Sequence, residues 1–183
     1  TAVGYRAGLL VTTGVENTLI GALAGDALTA TNENTAVGKS ALSADTLGSR
    51  STAIGQGTLA TQNFTTATQT YNTAVGFQAG AAVTTGIRNT LVGGRTGDAL
   101  TDADYNVAMG TDALSADTLG SKSTAIGVDA LATQNFTTAT DTYNTAVGFS
   151  AGVAVTTGIS NTLVGALAGD ALTDADQNVG VGK

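Results

Sequence analysis

The feature that most limits what this chain can fold into is a five-residue run, Asn34-Thr35-Ala36-Val37-Gly38, that returns lightly altered along its whole length. The closing glycines fall at Gly4, Gly21, Gly38, Gly55, Gly76, Gly93, Gly110, Gly127, Gly148, Gly165 and Gly182. Three equal intervals are followed by one that is four positions longer, and the cycle then starts again, so that Gly76 stands to Gly148 as Gly4 stands to Gly76. A short fixed period marks stacked units, each too small to bury its apolar face alone. Residues 1–183 therefore read as one repetitive segment, an all-β solenoid or β-roll of about ten 17-residue coils. Because the segment opens inside one copy and stops just after another, it also reads as part of a longer array.

The repeated run is rich in Thr and Val and bounded by Asn and Gly, which predicts a short strand. Helix is disfavoured, since β-branched residues and recurrent Gly lower helix propensity and no 3.6-residue period appears. Alternation then assigns two faces. One carries the Thr and Val positions, such as Thr35/Val37 and Thr52/Ile54. The other carries Ala36, Ala53, Ala74, Leu91, Ala108, Ala125, Ala146 and Leu163. Both are apolar, so both should be covered. The Thr/Val face is expected to line the coil interior. The Ala/Leu face is expected to meet two other copies in a parallel homotrimer. The asparagines ahead of the strands should form a ladder, and each coil should hold two short strands and two corners.

The four extra residues fall between Gly55 and Gly76 and between Gly127 and Gly148. These insertions hold Phe64, Tyr71, Phe136 and Tyr143, and should bulge outward every fourth coil as possible ligand-facing loops. Aromatic faces there could stack on sugars or simply cover the widened corner.

Composition narrows the chemistry. The chain has no Cys, His, Pro or Trp, which removes disulfides, thiol chemistry and the commonest general base. A net charge of −7 disfavours nucleic acid and anionic lipid as partners. An apolar fraction of 42% is too high for a disordered chain. No apolar run is long enough to insert in a membrane as a helix.

Few motifs suggest catalysis. Gly38-Lys39-Ser40 lacks the leading Gly of a phosphate loop, Glu33 standing in its place. Gly55-Gln56-Gly57 has Asp129 for Gly57 in its copy, which argues against a dinucleotide fingerprint. Asp98, Asp102, Asp104, Asp170, Asp174 and Asp176 are weak candidates for a Ca²⁺ site, but the first unit has Ala30 and Asn32 at the second and third of these positions. The reading is that of a non-enzyme with no catalytic residues and no cofactor.

Runs such as Asn72-Thr-Ala-Val-Gly-Phe-Gln-Ala-Gly80, followed by Thr84-Thr85-Gly86, resemble repeats of phage and bacterial tail-fibre proteins. They are also similar to the head repeat of trimeric autotransporter adhesins, the YadA-like heads. The unit here is longer than that head repeat, and the periodic insertion departs from its pattern. The resemblance implies a trimeric extracellular fibre on a virion or bacterial surface, with self-association and a cell-surface glycan or protein receptor as partners. Two other function classes stand beside this one. An ice-binding β-solenoid is suggested by the Thr ladder, but inward-pointing Thr and the lack of a flat array would argue against it. A glycan-degrading tailspike segment would need acidic pairs in a groove between chains.

Overall fold

The computed structural model describes Thr1–Lys183 as one parallel β-solenoid without a helix. Its strands are β1 (Ala2–Val3), β2 (Thr18–Ile20), β3 (Thr35–Val37), β4 (Gly48–Ser49), β5 (Thr52–Ile54), β6 (Thr68–Gln69), β7 (Thr73–Val75) and β8 (Thr90–Val92). They continue as β9 (Val107–Met109), β10 (Gly120–Ser121), β11 (Thr124–Ile126), β12 (Thr140–Asp141), β13 (Thr145–Val147), β14 (Thr162–Val164) and β15 (Val179–Val181). Eleven of them, one from each copy of the repeated run, form a single parallel sheet in chain order. Register is strict: Thr35 pairs with Thr52, Ala36 with Ala53 and Val37 with Ile54. The longer interval does not disturb it, because Thr52, Ala53 and Ile54 pair with Thr73, Ala74 and Val75.

A second strand in every coil does not form. The only other pairings are β4 with β6 and β10 with β12, where the insertions run beside the coil before them. Elsewhere the wall opposite the sheet is a chain of turns. The cause is backbone handedness. Each coil holds residues with φ near +60° two places after the closing Gly, four places after it, and just before the Asn. Left-handed residues cannot continue a strand. The turns still stack: only 21 of the 106 backbone hydrogen bonds join two strand residues. The other 85 include sheet-edge bonds such as Gly38 N–H to the Ile20 carbonyl and corner bonds such as Gly25 N–H to the Ala41 carbonyl, so corners as well as the sheet join one coil to the next.

The two strand faces are the reverse of the assignment drawn from the sequence. Ala36, Ala53, Ala74, Leu91, Ala108, Ala125, Ala146 and Leu163 lie inside the coil of their own chain, all at 0–1% exposure. They join one core cluster with Ala24, Leu28, Ala41 and Leu42 and cannot face another protomer. The physical reason is the width of the interior. So short a coil leaves a narrow space that small, purely apolar side chains fill, whereas the Thr hydroxyls of the other face need water or a partner.

Beside the small residue three after the closing Gly, three positions of variable size share that interior in each coil: the middle of the strand, the residue four after the closing Gly, and the residue seven after it. The fillings read Leu19/Gly25/Leu28, Ala36/Leu42/Asp45, Ala53/Leu59/Gln62 and Ala74/Gly80/Val83, then repeat from Leu91/Gly97/Leu100. Large and small residues trade places between the first two positions in three of these fillings, whereas Ala74/Gly80/Val83 is smaller, and there Leu59 and Leu91 of the adjoining coils close in on Gly80. Leu42 holds the same left-handed conformation (φ 54°) as Gly97 (φ 55°). A Cβ on Gly97 would lie 2.8 Å from Leu100 Cδ1 and 2.9 Å from Leu91 Cδ2, so a side chain there needs both leucines to shift or be replaced.

This packing sets two expectations for stability. Gly93 has φ +141°, and a Cβ there would come within 2.5 Å of the Gly110 carbonyl oxygen, whereas a Cβ on Gly94 meets nothing. Gly93→Ala should cost about 2–4 kcal/mol and Gly94→Ala less than about 0.5 kcal/mol in chemical denaturation. Leu91→Ala and Gly97→Leu should each destabilise, by about 2–4 kcal/mol. The double variant removes one of the two leucines that crowd position 97, Leu100 remaining, and its loss should fall short of the sum by about 1 kcal/mol or more.

Candidate functional site

The outer surface of the sheet is built from two rows. The Thr row runs from Thr18 through Thr35, Thr52, Thr73 and Thr90 to Thr124, Thr145 and Thr162, with Val107 and Val179 replacing Thr in two coils. The second row reads Val3, Ile20, Val37, Ile54, Val75, Val92, Met109, Ile126, Val147, Val164 and Val181. Each is half-buried to exposed, Ile54 at 39%. Neither row contains a charge. Parallel pairing repeats both rows at about 4.8 Å, giving a stripe on the order of 50 Å long. At about 8 Å across, it approaches the roughly 400 Å² of contiguous apolar surface that signals an interface. Tyr5, Phe77 and Phe149 stand exposed one residue past the closing glycines, once in every fourth coil along one margin.

The other margin carries a ladder of side chains from the left-handed corner just before the Asn: Glu33, Arg50, Tyr71, Arg88, Tyr105, Lys122 and Tyr143. The Arg50 guanidinium donates to both Glu33 carboxylate oxygens at 3.1 and 3.3 Å, to Gln69 Oε1 at 2.8 Å and to the Tyr71 hydroxyl at 2.5 Å. It lies 5.5 Å from the Tyr71 ring centre. Arg88 donates to the Tyr105 hydroxyl and sits 5.2 Å from that ring. Lys122 donates to Asp141 at 2.5 Å and to the Tyr143 hydroxyl at 3.3 Å, 5.2 Å from the ring. Hydrogen bonding to Glu33 and Tyr71 raises the Arg50 pKa. Hydrogen bonding to Asp141 does the same for Lys122, while Lys122 lowers the pKa of Asp141. All these groups are exposed to water, so the pairs align the corner more than they stabilise it. A polar groove of about 200 Å³ opens at the foot of the ladder, beneath the first insertion.

Inside the coil, an Asn ladder caps the backbone. Asn89 Nδ2 donates to the Ala103 carbonyl at 2.7 Å, and its Oδ1 accepts from the Asn106 N–H at 2.9 Å. The arrangement recurs at Asn34 and Asn72. Side chains thus bond mainly to backbone of neighbouring coils, and only at the last rung does one Asn side chain bond another, Asn178 Nδ2 donating to Asn161 Oδ1 at 2.9 Å. Where the ladder would meet an insertion, Ser51 and Ser123 replace Asn. Gln62 then enters: its Nε2 donates to Asp45 Oδ2 at 2.6 Å and to Ser51 Oγ at 2.9 Å, and its Oε1 accepts from Asn72 at 2.8 Å. Asp45 Oδ1 accepts the Gly48 and Phe64 N–H groups. Asp117, Gln134, Ser123 and Asn144 repeat the constellation at the second insertion. Asp45 and Asp117 are fully enclosed, and burial raises the pKa of both against the opposing effect of their hydrogen bonds. Their role is structural: two acceptors per carboxylate tie the start of each insertion to the coil. Sequence reasoning missed Asp45, Gln62, Asp117 and Gln134. Their signal was a polar residue where other coils have Val or Leu, present at the same place in both four-coil units.

The remaining sequence candidates separate. Phe64 and Phe136 are buried at 7% exposure, packed under the insertion rather than facing a ligand, whereas Tyr71 and Tyr143 are exposed. Ser150 is buried, whereas Arg6 and Gln78, at the same place in the other four-coil units, are exposed. The aspartates do not gather into a metal-holding group. Asp104 Oδ1 accepts the Ile87 N–H at 2.7 Å, Asp176 Oδ1 accepts that of Ile159 at 2.8 Å, and Asp102 accepts from Thr85. Comparison with known proteins finds no matching family model, no matching curated protein and no matching solved structure.

The buried aspartates set a pH dependence. A carboxyl whose folded-state pKa lies above its ordinary 3.8 binds its proton more tightly in the folded chain. Its contribution to stability is full below about pH 3.8 and is lost as pH rises through the folded value. Asp45→Asn/Asp117→Asn should melt lower throughout, because an amide nitrogen would face the Gln62 and Gln134 amide groups. The advantage of the wild type over this variant should be larger at about pH 4 than at about pH 7 in thermal melts. Parallel profiles would contradict it.

Proposed function

We propose that this chain is a structural and adhesive segment of an extracellular fibre, on a virion or bacterial surface, assembled as a parallel homotrimer. The observation that carries the reading is the uncharged Thr/aliphatic stripe running the length of an unbroken eleven-stranded sheet. A surface of that length and flatness is costly to leave wet. Three copies in the same register would bury it about a common axis, and their insertions would then project at one height every fourth coil. The role is passive. Stacked coils supply stiffness, and repeated corners present the same groups many times for avidity. The resemblance of Asn72–Gly80 and its copies to tail-fibre and adhesin-head repeats supports the same reading.

One observation favours a second reading. The Thr row points outward, in register on a regular array, which removes the objection that inward threonines could not order water. An ice-binding face on a single chain would use the same stripe.

One pair of measurements separates the two. Light scattering after size exclusion should give three times the 17.8 kDa chain mass. Ile54→Lys/Ile126→Lys should shift it to monomer with an unchanged β-type circular dichroism spectrum. A wild-type monomer that shows thermal hysteresis would replace the fibre reading with the ice-binding one.

A further inference from the structure

We propose that the ladder of tyrosines and cations beside the stripe is a track for an extended, β-1,4-linked polysaccharide. The inference deepens the adhesive part of the fibre reading by naming the class of ligand, and rests on that reading for its biological setting.

Pitch is the main argument. Tyr71, Tyr105 and Tyr143 occupy the same corner in every second coil, so their rings recur at roughly 10 Å along the axis. In a β-1,4-linked chain successive pyranose rings turn over, and one face returns once per disaccharide, at nearly that distance. An α-1,4-linked chain curls and cannot keep step with a straight ladder. The three rings are 44–55% exposed, and hydrogen bonds from Arg50, Arg88 and Lys122 to their hydroxyls fix them in place. Rings already held lose little entropy on binding, and because a cation lies over one face of each, the sugar's apolar side would meet the opposite face.

The polar groups between the rings point to the kind of sugar. Arg50 is offset by Glu33 and Lys122 by Asp141, which leaves Arg88 as the ladder's one cation without a carboxylate partner. Donors and acceptors alternate with little net charge, an arrangement that fits neutral hydroxyl or acetamido groups better than a polyanion. At the lower end, the groove beneath the first insertion adds Asn32, Ser49, Thr68 and Gln69 as further polar lining for the chain's end.

The test is calorimetric titration of the whole 183-residue protein with cellohexaose and with N-acetylchitohexaose, using maltohexaose as the α-linked comparison. One of the β-linked hexaoses should bind, and its trisaccharide at least ten-fold more weakly. Tyr105→Ala should weaken the hexaose at least ten-fold, while Tyr105→Phe, which keeps the ring but loses the bond from Arg88, should weaken it about three-fold, as Arg88→Gln should. Melting curves check that both variants fold. Should Tyr105→Ala fail to fold, Arg88→Gln carries the test with an expected loss of at least three-fold. Absence of binding by either β-linked hexaose, equal binding of maltohexaose, or indifference to every substitution overturns the proposal. Light scattering on the same samples keeps this outcome apart from failure of the fibre reading, since a trimer that binds no glycan sinks only the track.

Discussion

Every feature of this molecule depends on one constraint: each coil must repeat the path of the one before it closely enough for both strands and corners to hydrogen-bond across the gap. The corners share that burden, with coil-to-coil bonds such as Gly8 N–H to the Ala24 carbonyl and Gly25 N–H to the Ala41 carbonyl. A repeated path imposes a repeated conformation. Leu42, Leu59, Leu114 and Leu131 accordingly sit at positive φ where other coils have Gly25, Gly80 or Gly97. In an isolated peptide that conformation disfavours leucine. Here the coils on either side fix it, and complete burial of the leucine side chain offsets the strain.

Once the path is fixed, the interior volume is fixed too. A space this narrow cannot accept large residues at two facing positions, and it tolerates no void. The exchange of Leu91/Gly97 for Ala108/Leu114 in the next coil answers both demands with the same backbone. The closing glycines answer a third. At Gly21, Gly38 and their equivalents, carbonyl groups of successive coils approach too closely for any side chain. That is why the glycine column has no exception along the whole sheet while Val, Ile and Met exchange freely one residue earlier.

The coil count, the parallel register and the site of the insertions could be read from the sequence because each is a matter of spacing. Orientation could not be read in the same way. With Thr35/Val37 on one side of a strand and Ala36 on the other, hydropathy marks both faces as buried. The deciding signal was finer: a hydroxyl recurs on one face in nearly every coil, and the other face contains no polar atom at all. The missing second strand was hidden for another reason. Nothing local to Ala41-Leu42-Ser43 marks Leu42 as left-handed, since that conformation comes from stacking rather than from propensity. Of the ladder, Tyr71 and Tyr143 could be read only as insertion aromatics alongside Phe64 and Phe136, with nothing to tell the exposed pair from the buried one. Their alternation with Arg50, Arg88, Tyr105 and Lys122 appears only when equivalent corners of successive coils are brought into line.

The insertions show how a regular array makes room for an irregular one. Four extra residues must leave and rejoin the coil without disturbing the register on either side, and β5 and β7 pair as if nothing lay between them. A detour of that kind exposes backbone donors inside the coil, where an unpaired group costs about 1–3 kcal/mol. Asp45 accepts two of them, from Gly48 and Phe64, and Gln62 joins the carboxylate to the Asn ladder across the gap left by Ser51. Only one buried side-chain atom in the whole chain, Thr31 Oγ1, goes without a partner. The enclosed carboxyl is therefore the reason that the widened corner can exist. Because the corner lifts Gln69 beside Tyr71 and Asp141 beside Tyr143, the residues that widen the coil also set the first and last tyrosines of the outer ladder. Interior chemistry and exterior surface thus share one four-coil period, and neither could shift its spacing without the other.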